Sequence, residues 1–429
     1  LLDNGSTRLA LVVCDVLGLS RDTCREARRV VEAETGIPAA HVMIAGTHTH
    51  SATSVIGDRY APTAELTPYQ RAVVRRIGDA VRCAVNHLEP ARIGWATASE
   101  PRHVFNRRWF MKPGTVPVNP LGGQDQVKMN PPRGSPDLVK PAGPTDPGIV
   151  FLAVQTTNGR PVALLANYSL HYVGGVGGGH VSADYFGLFA DRIQQLLGAD
   201  RQDPPFVGMM CNGTSGNINN IDFTKPSPKT APYERMREVA EDVAQAVFKA
   251  WPAVRWRDEV PLGAEFEELR VAFRHPTPEQ VERAKAVVAA RKPDAKATLE
   301  EIYADRILRV NAYPEHDDLP LQALRIGDVG LATMPLEVFA ETGLEMKRRS
   351  PFQPSFVVSM AHGYFGYLPP PEQHKLGGYE TWLGTNRVEI EAEPKLVARL
   401  LEMLERLRGP APSIQPPTSG TQPPTPTIQ

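Results

Sequence analysis

The chain has 429 residues, 41% of them apolar, and a mean hydropathy of −0.28, which suits one large domain or two smaller ones built on a sizeable core. With 47 basic and 48 acidic residues the net charge is −1, so bulk electrostatics exclude attraction to nucleic acid or to an anionic membrane. No apolar run reaches the ~18 residues of a membrane span; the best candidate, residues 9–19, is interrupted by Asp15.

In chain order, residues 9–16 (LALVVCDV) read as a buried strand. The chain enters it almost at once after Leu1-Leu2-Asp3-Asn4-Gly5, with no signal peptide, and we expect a missing N-terminal segment. Ser20 caps a helix that runs to Glu34 and stops at Gly36, and residues 42–46 are the next strand. This βαβ unit predicts parallel strands with a right-handed crossover. Thr67-Pro68 opens a second helix, with Val73, Ile77, Val81, Val85 and Leu88 at helical spacing. Residues 100–148 are rich in Pro and Gly and read as a long loop covering a site. Residues 149–155 and 161–168 form a hairpin across Asn158-Gly159. A buried strand at 206–211, helices at 232–251 and 276–291, and a hairpin across Gly327-Asp328 follow. A late strand at 356–367 and a closing helix at 393–407 complete the expected domain, residues 1–409. Residues 410–429 are Pro/Thr/Ser-rich and are expected to form a disordered tail. The alternation of strands and helices predicts an α/β fold, a large mixed β-sheet flanked by helices.

Cys14, Cys24, Cys83 and Cys211 contain no Cys-x-x-Cys pair, which argues against a thiolate zinc site. Cys14 and Cys211 fall in apolar strands; a bond between Cys24 and Cys83 is left open. The basic pairs Arg75-Arg76 and Arg107-Arg108 are too short to track phosphates and read as solvated faces.

The polar residues that carry chemistry gather where strands end, which is where open α/β sheets bind ligands. His48 and His50, in Gly46-Thr47-His48-Thr49-His50-Ser51, point the same way if the segment is extended. Two imidazoles there are either the start of a metal site or a surface pair. His171 ends another buried strand, before a glycine-rich run at 174–179. The loop that follows Cys211, with Gly213, Ser215, Gly216 and Asn217, either presents backbone N–H groups to an oxyanion or is an ordinary tight connection. Glu337 follows a further strand and opens a helix, as a helix-favouring acid or as a carboxylate ligand. Aromatic residues in Gly363-Tyr364-Phe365-Gly366-Tyr367 and Gly377-Gly378-Tyr379-Glu380 complete the set.

The order GTHTHS, NYSLH, MPLE and GYFGYLPP…GGYE resembles the neutral/alkaline non-lysosomal ceramidases over residues 8–390. The resemblance implies one Zn2+ held by His48, His171, Glu337 and Tyr379, with His50 and Arg107 near the reaction centre. It also implies a departure. The family's nucleophilic serine, in Gly-Asp-x-Ser-Pro, aligns with Asn219 of Gly216-Asn217-Ile218-Asn219-Asn220, and Ser215 is four positions out of register. From the resemblance we also expect the family's first strand segment and its C-terminal sandwich domain to be missing from this chain. The implied function is zinc-dependent hydrolysis of an amide, an N-acyl bond of a small-molecule or lipid substrate as in sphingolipid turnover, in a secreted or periplasmic protein. Zinc would polarise the carbonyl and lower the pKa of its water toward ~7. His50 would carry the proton, Arg107 would bind the developing oxyanion, and Asn219 would donate a hydrogen bond in the serine's place. Two alternatives remain: a zinc-dependent esterase or lactonase, and a metal-binding homologue without activity.

Overall fold

The computed structural model describes residues 1–57, 65–292 and 295–409; the stretch expected as a tail, 410–429, lies outside them. The short β1 (Leu2–Asp3) leads into β2 (Arg8–Cys14), α1 (Arg21–Thr35) and β3 (Val42–Gly46). Ser20 caps α1 by accepting the Thr23 N–H, and Gly36 closes it at φ 70°, the left-handed region a residue without Cβ enters without strain. β2 and β3 pair in parallel from Ala10↔Val42 to Cys14↔Gly46. Helix α2 (Pro68–Asn86) starts at a capping box of Thr67 and Gln70 and packs with α1 around Cys24, Ala27, Val31, Val74 and Ile77.

After β4 (Ala91–Ser99), the Pro/Gly-rich stretch is more than a loop. It carries β5 (Phe105–Asn106) and an antiparallel sheet ordered β7-β6-β8, made of β6 (Arg108–Met111), β7 (Val127–Met129) and β8 (Leu138–Pro141). Its prolines and glycines separate short strands instead of abolishing them. β9 (Gly148–Thr156) and β10 (Pro161–Tyr168) form the expected hairpin, and α3 (Asp184–Leu196), β11 (Val207–Asn212), β12 (Ile218–Asn219) and α4 (Glu234–Ala250) follow. The first large sheet is ordered β11-β10-β9-β4, with β10–β11 parallel.

The second half supplies β13 (Leu262–Ala272), α5 (Pro278–Ala289), α6 (Leu299–Val310), β14 (His316–Ile326), β15 (Val329–Thr333), β16 (Glu337–Val338), α7 (Ala340–Arg349), β17 (Ser355–Val358), β18 (Tyr367–Leu368), α8 (Pro371–Leu376) and α9 (Ala392–Arg408). Its large sheet is ordered β13-β14-β15-β17. Two expectations change here. The strand expected over 356–367 stops at Val358 because Met360 and His362 take φ of 60° and 62°. Glu337 lies in a strand, and the helix expected there begins at Ala340.

Side-chain alternation gives each large sheet two buried faces. Val150, Leu152, Leu165 and Cys211 of one sheet share a core with Leu324, Leu331, Phe356 and Val358 of the other. The opposite faces turn outward to helices: Phe151, Ala153, Leu164 and Ala166 to α3 and α4, and Leu321, Ala323, Ala332 and Val357 to α9 and α6. The architecture is therefore α/β/β/α, with mixed sheets face to face, and each large apolar side chain so buried contributes roughly 1.5–3 kcal/mol. Leu9, Met43 and Ala45 of the β2–β3 unit join the central core. The parallel strands β3, β10, β11, β15 and β17 end close together, tied by Asn212 Nδ2–H to Thr47 O (3.2 Å), Ser359 N–H to Asn212 O (3.0 Å) and Gly46 N–H to Met360 O (3.2 Å). The four cysteines are free thiols, with Cys24 buried and Cys83 exposed.

Candidate metal centre

His48 lies two residues beyond β3, at φ 67°, a conformation that costs a non-glycine residue energy and marks sites where structure overrides local preference. Its Nδ1 is 2.7 Å from Leu17 O. A carbonyl only accepts, so Nδ1 carries the proton and Nε2 presents a lone pair. His171, three residues beyond β10, is fixed the same way by Ser215 O at 3.0 Å. Glu337 takes a hydrogen bond from Tyr364 Oη–H on Oε1 (2.8 Å). Its other oxygen, Oε2, stands 3.3 Å from His48 Nε2 and 3.7 Å from His171 Nε2. His171 Nε2 and Glu337 Oε2 are both buried without a hydrogen-bond partner.

The unpartnered His171 Nε2 and Glu337 Oε2 therefore meet His48 Nε2 in a buried space. That arrangement is repulsive unless a cation takes their centre. Ligand atoms held about 2.0–2.2 Å from one tetrahedral Zn2+ stand roughly 3.3–3.6 Å apart, close to the 3.3 Å and 3.7 Å that separate Glu337 Oε2 from the two imidazoles. Charge state agrees. Burial, reinforced by the Arg107 charge, pushes His171 well below the usual imidazole range and keeps it neutral.

His50 sits at the exposed side of this cluster. Its ring stacks on Tyr172 (centroids 3.8 Å apart, 13° between planes) and its Nε2 is 3.1 Å from His48 Nε2. Ligand atoms of His48, His50 and His171 all lie within 4.8 Å of one another.

Arg107 and Arg108, expected on a solvated face, are instead 4% and 0% exposed. Glu380 makes this possible by accepting from Arg107 Nε (2.9 Å) on one oxygen and from Arg108 Nη1 (2.7 Å) on the other. Arg107 Nη2 reaches Tyr367 Oη at 3.0 Å.

The structure sorts the tyrosines differently from the expectation. Parallel pairing of β16 with β18 sets Tyr367 opposite Glu337, and the Tyr367 phenol receives Arg107 Nη2. Tyr379 is edge-on to the Tyr367 ring at 5.8 Å. The phenol that receives Arg107 is thus Tyr367, and the phenol bonded to the Glu337 carboxylate is Tyr364.

The loop after β11 is also reassigned. The N–H groups of Gly213, Thr214 and Gly216 are donated inward to Tyr168 O (2.9 Å), Ser169 Oγ (3.2 Å) and Val338 O (2.7 Å), so none of these three serves an oxyanion. Asn217 accepts from Ala340 N–H (2.9 Å) and donates to Glu341 Oε2 (2.7 Å). This loop buttresses the strand that carries Glu337. Ser215 Oγ–H is given to Asn212 Oδ1 (2.7 Å). Asn219 bonds Asn130 Oδ1 (3.1 Å) and Asn220 (3.2 Å) instead of meeting the imidazoles.

The sequence places Tyr364, Tyr367 and Glu380 in the candidate segments without assigning them a role, and it does not single out Tyr172. A signal existed for Glu380, since two adjacent arginines placed inside a core require a carboxylate. A second cluster of Glu100, His103 and Asp242 is already neutralised by Arg102 and Arg235 and reads as structural.

No protein-family model matches this chain, and no curated protein does. Solved structures do. A ceramidase complexed with C2 superposes with a TM-score of 0.68 at 16% identity, over 94% of this chain and 68% of that one. The neutral ceramidase from Pseudomonas aeruginosa gives 0.65 at 16% identity, over 92% and 66%. The chain spans about two thirds of the length of these neighbours. Its mixed α/β architecture is the fold found in these ceramidases.

Proposed function

We propose that the chain is a metal-dependent hydrolase acting on an amide, an N-acyl bond in a ceramide-like or other lipid or small-molecule substrate, and that residues 1–409 form its catalytic domain. The observation that carries this reading is the convergence of His48 Nε2, His171 Nε2 and Glu337 Oε2, the last two buried and unpartnered. The fold shared with ceramidases supports the amide class. The secreted or periplasmic placement goes with the resemblance; among the described residues no helix is long and apolar enough to cross a membrane.

His48, His171 and Glu337 would hold the ion, with the Tyr367 phenol beside them, and imidazole with carboxylate is a donor set that suits zinc. Zinc, when bound, supplies a Lewis acid for the substrate carbonyl and acidifies a coordinated water. Leu17 O and Ser215 O keep both imidazoles in the ligating tautomer. His50, on the open side and braced by Tyr172, accepts the proton released by the attacking water. Arg107, buried and held by Glu380, places a fixed positive charge where negative charge builds on the carbonyl oxygen. Ser215 is no nucleophile on this reading: its Oγ lies 3.4 Å from His171 Nδ1, but that nitrogen carries its proton toward the Ser215 carbonyl, and the Oγ–H is given to Asn212 Oδ1.

The test is a panel of N-acyl amides, esters and lactones offered to metal-stripped and Zn2+-reloaded protein. Zinc-restored amide cleavage is expected. Cleavage of esters or lactones alone moves the protein to the esterase class, and zinc binding without any turnover makes it an inactive homologue.

A further inference from the structure

Two buried guanidiniums share one carboxylate beside the metal centre. Arg108 fixes the segment that carries this carboxylate by donating from Nη2 to Gly377 O (2.7 Å). At Gly378, φ is 92° and a Cβ would lie 2.8 Å from Arg108 Nη1, so the backbone closes on the guanidinium there. Glu380, fully buried, then receives Arg107 on one oxygen and Arg108 on the other. Arg107 extends to Tyr367, whose strand partner is Glu337. Tyr367 therefore joins a buried cation to the strand of the carboxylate assigned to the metal, and the Glu337 charge also acts on Arg107. A buried guanidinium deprived of its counter-charge moves to the next available anion, because an uncompensated charge in a low-dielectric interior is costly.

We propose that Glu380 is a positioning residue that holds Arg107 on Tyr367 and keeps its guanidinium off Glu337, leaving that carboxylate free for a divalent metal. The proposal rests on the metal-site reading above. It assigns Glu380 an effect on metal affinity that runs through Arg107 and not through general packing.

The experiment measures Zn2+ affinity by chelator competition on the full chain: wild type, Glu380→Gln, Arg107→Met and the double variant. Glu380→Gln should bind Zn2+ at least about tenfold more weakly, the lower end of what loss of an outer-shell partner costs. Arg107→Met should bind as well as wild type or better. The double variant should return to the Arg107→Met affinity, since no guanidinium remains to compete for Glu337. If Glu380→Gln does not fold, Glu380→Asp serves: it keeps the charge but draws it back, and the partial loss expected should again be reversed by Arg107→Met. Wild-type affinity in Glu380→Gln, or a double variant as weak as the single, overturns the proposal, because Glu380 is then only a structural prop. A wild-type protein with no Zn2+ affinity instead overturns the metal reading itself, and this proposal with it.

Discussion

Gly216→Ala tests the role of the β11–β12 loop as a buttress for Glu337. A Cβ at position 216 would lie 2.6 Å from Glu337 O, 2.9 Å from Val338 O and 3.0 Å from Glu337 C. All three obstacles are backbone, and ordinary contact begins at 3.4 Å. Relief therefore needs β16 and the loop to part by roughly 0.8 Å, an overpacking cost of about 1–3 kcal/mol. Metal ligands tolerate only about ±0.2 Å, so Glu337 leaves its place and Zn2+ affinity should fall about 10–100-fold. The control is Gly208→Ala in β11, where a Cβ meets Ala190 O at 2.9 Å against helix α3, away from the imidazoles. Thermal melts of metal-free protein should show similar losses for both variants, while chelator competition should show weakened zinc only for Gly216→Ala. A folded Gly216→Ala protein with wild-type zinc affinity refutes the buttress argument.

Other outcomes follow from the same geometry. Ser215→Ala should keep N-acyl hydrolysis within about tenfold of wild type, about 1.4 kcal/mol of barrier; a thousandfold loss or an acyl adduct on Ser215 in mass spectrometry contradicts the water route. Tyr367→Phe should weaken zinc binding and slow turnover more than Tyr379→Phe does, and the reverse order restores Tyr379 to the ligand set. Stability should fall in mild acid. Burial, with Arg28 adding to it, holds buried His362 well below the usual imidazole range, whereas in the unfolded chain it titrates near ~6.5. The unfolded state then binds more protons below that pH, so the stability is fully present above ~6.5 and lost as pH drops, by up to ~1.4 kcal/mol per unit for this residue. Urea midpoints between pH 7.5 and 5 should show this, and His362→Asn, which tolerates the positive φ and does not titrate, should flatten the slope; an unchanged slope excludes His362 as its source.

Local signals made much of the fold legible. The Ser20 cap with Gly36, the Thr67-Pro68 start and the Asn158-Gly159 turn each act within a few residues, and each lies where its chemistry placed it. What was not legible depends on distant partners. The three-stranded sheet within 100–148 forms because Arg108 is anchored by residues 373–380. The strand ending at Val358 yields to two left-handed residues, and His362 N–H bonds Ile44 O (2.8 Å) across the molecule. The candidate site divides the same way. His48 and His171 stand at the ends of recognisable strands. The choice among Tyr364, Tyr367 and Tyr379 turns on the β16–β18 register, two residues a side, too short to leave a periodic pattern. The loop at 213–217 has the composition of an anion cradle, and the direction of its N–H groups is fixed by β10 and β16, not by its own sequence.

The central claim, that these strand ends build one metal centre, is tested most directly by the zinc content of the purified protein and its ligand variants. Elemental analysis should find one Zn2+ per chain in the wild type and little or none in His48→Ala, His171→Ala or Glu337→Gln, each still folded by circular dichroism. Full zinc occupancy in the folded variants, or a wild-type protein that stays metal-free after equilibration with Zn2+, would contradict the account.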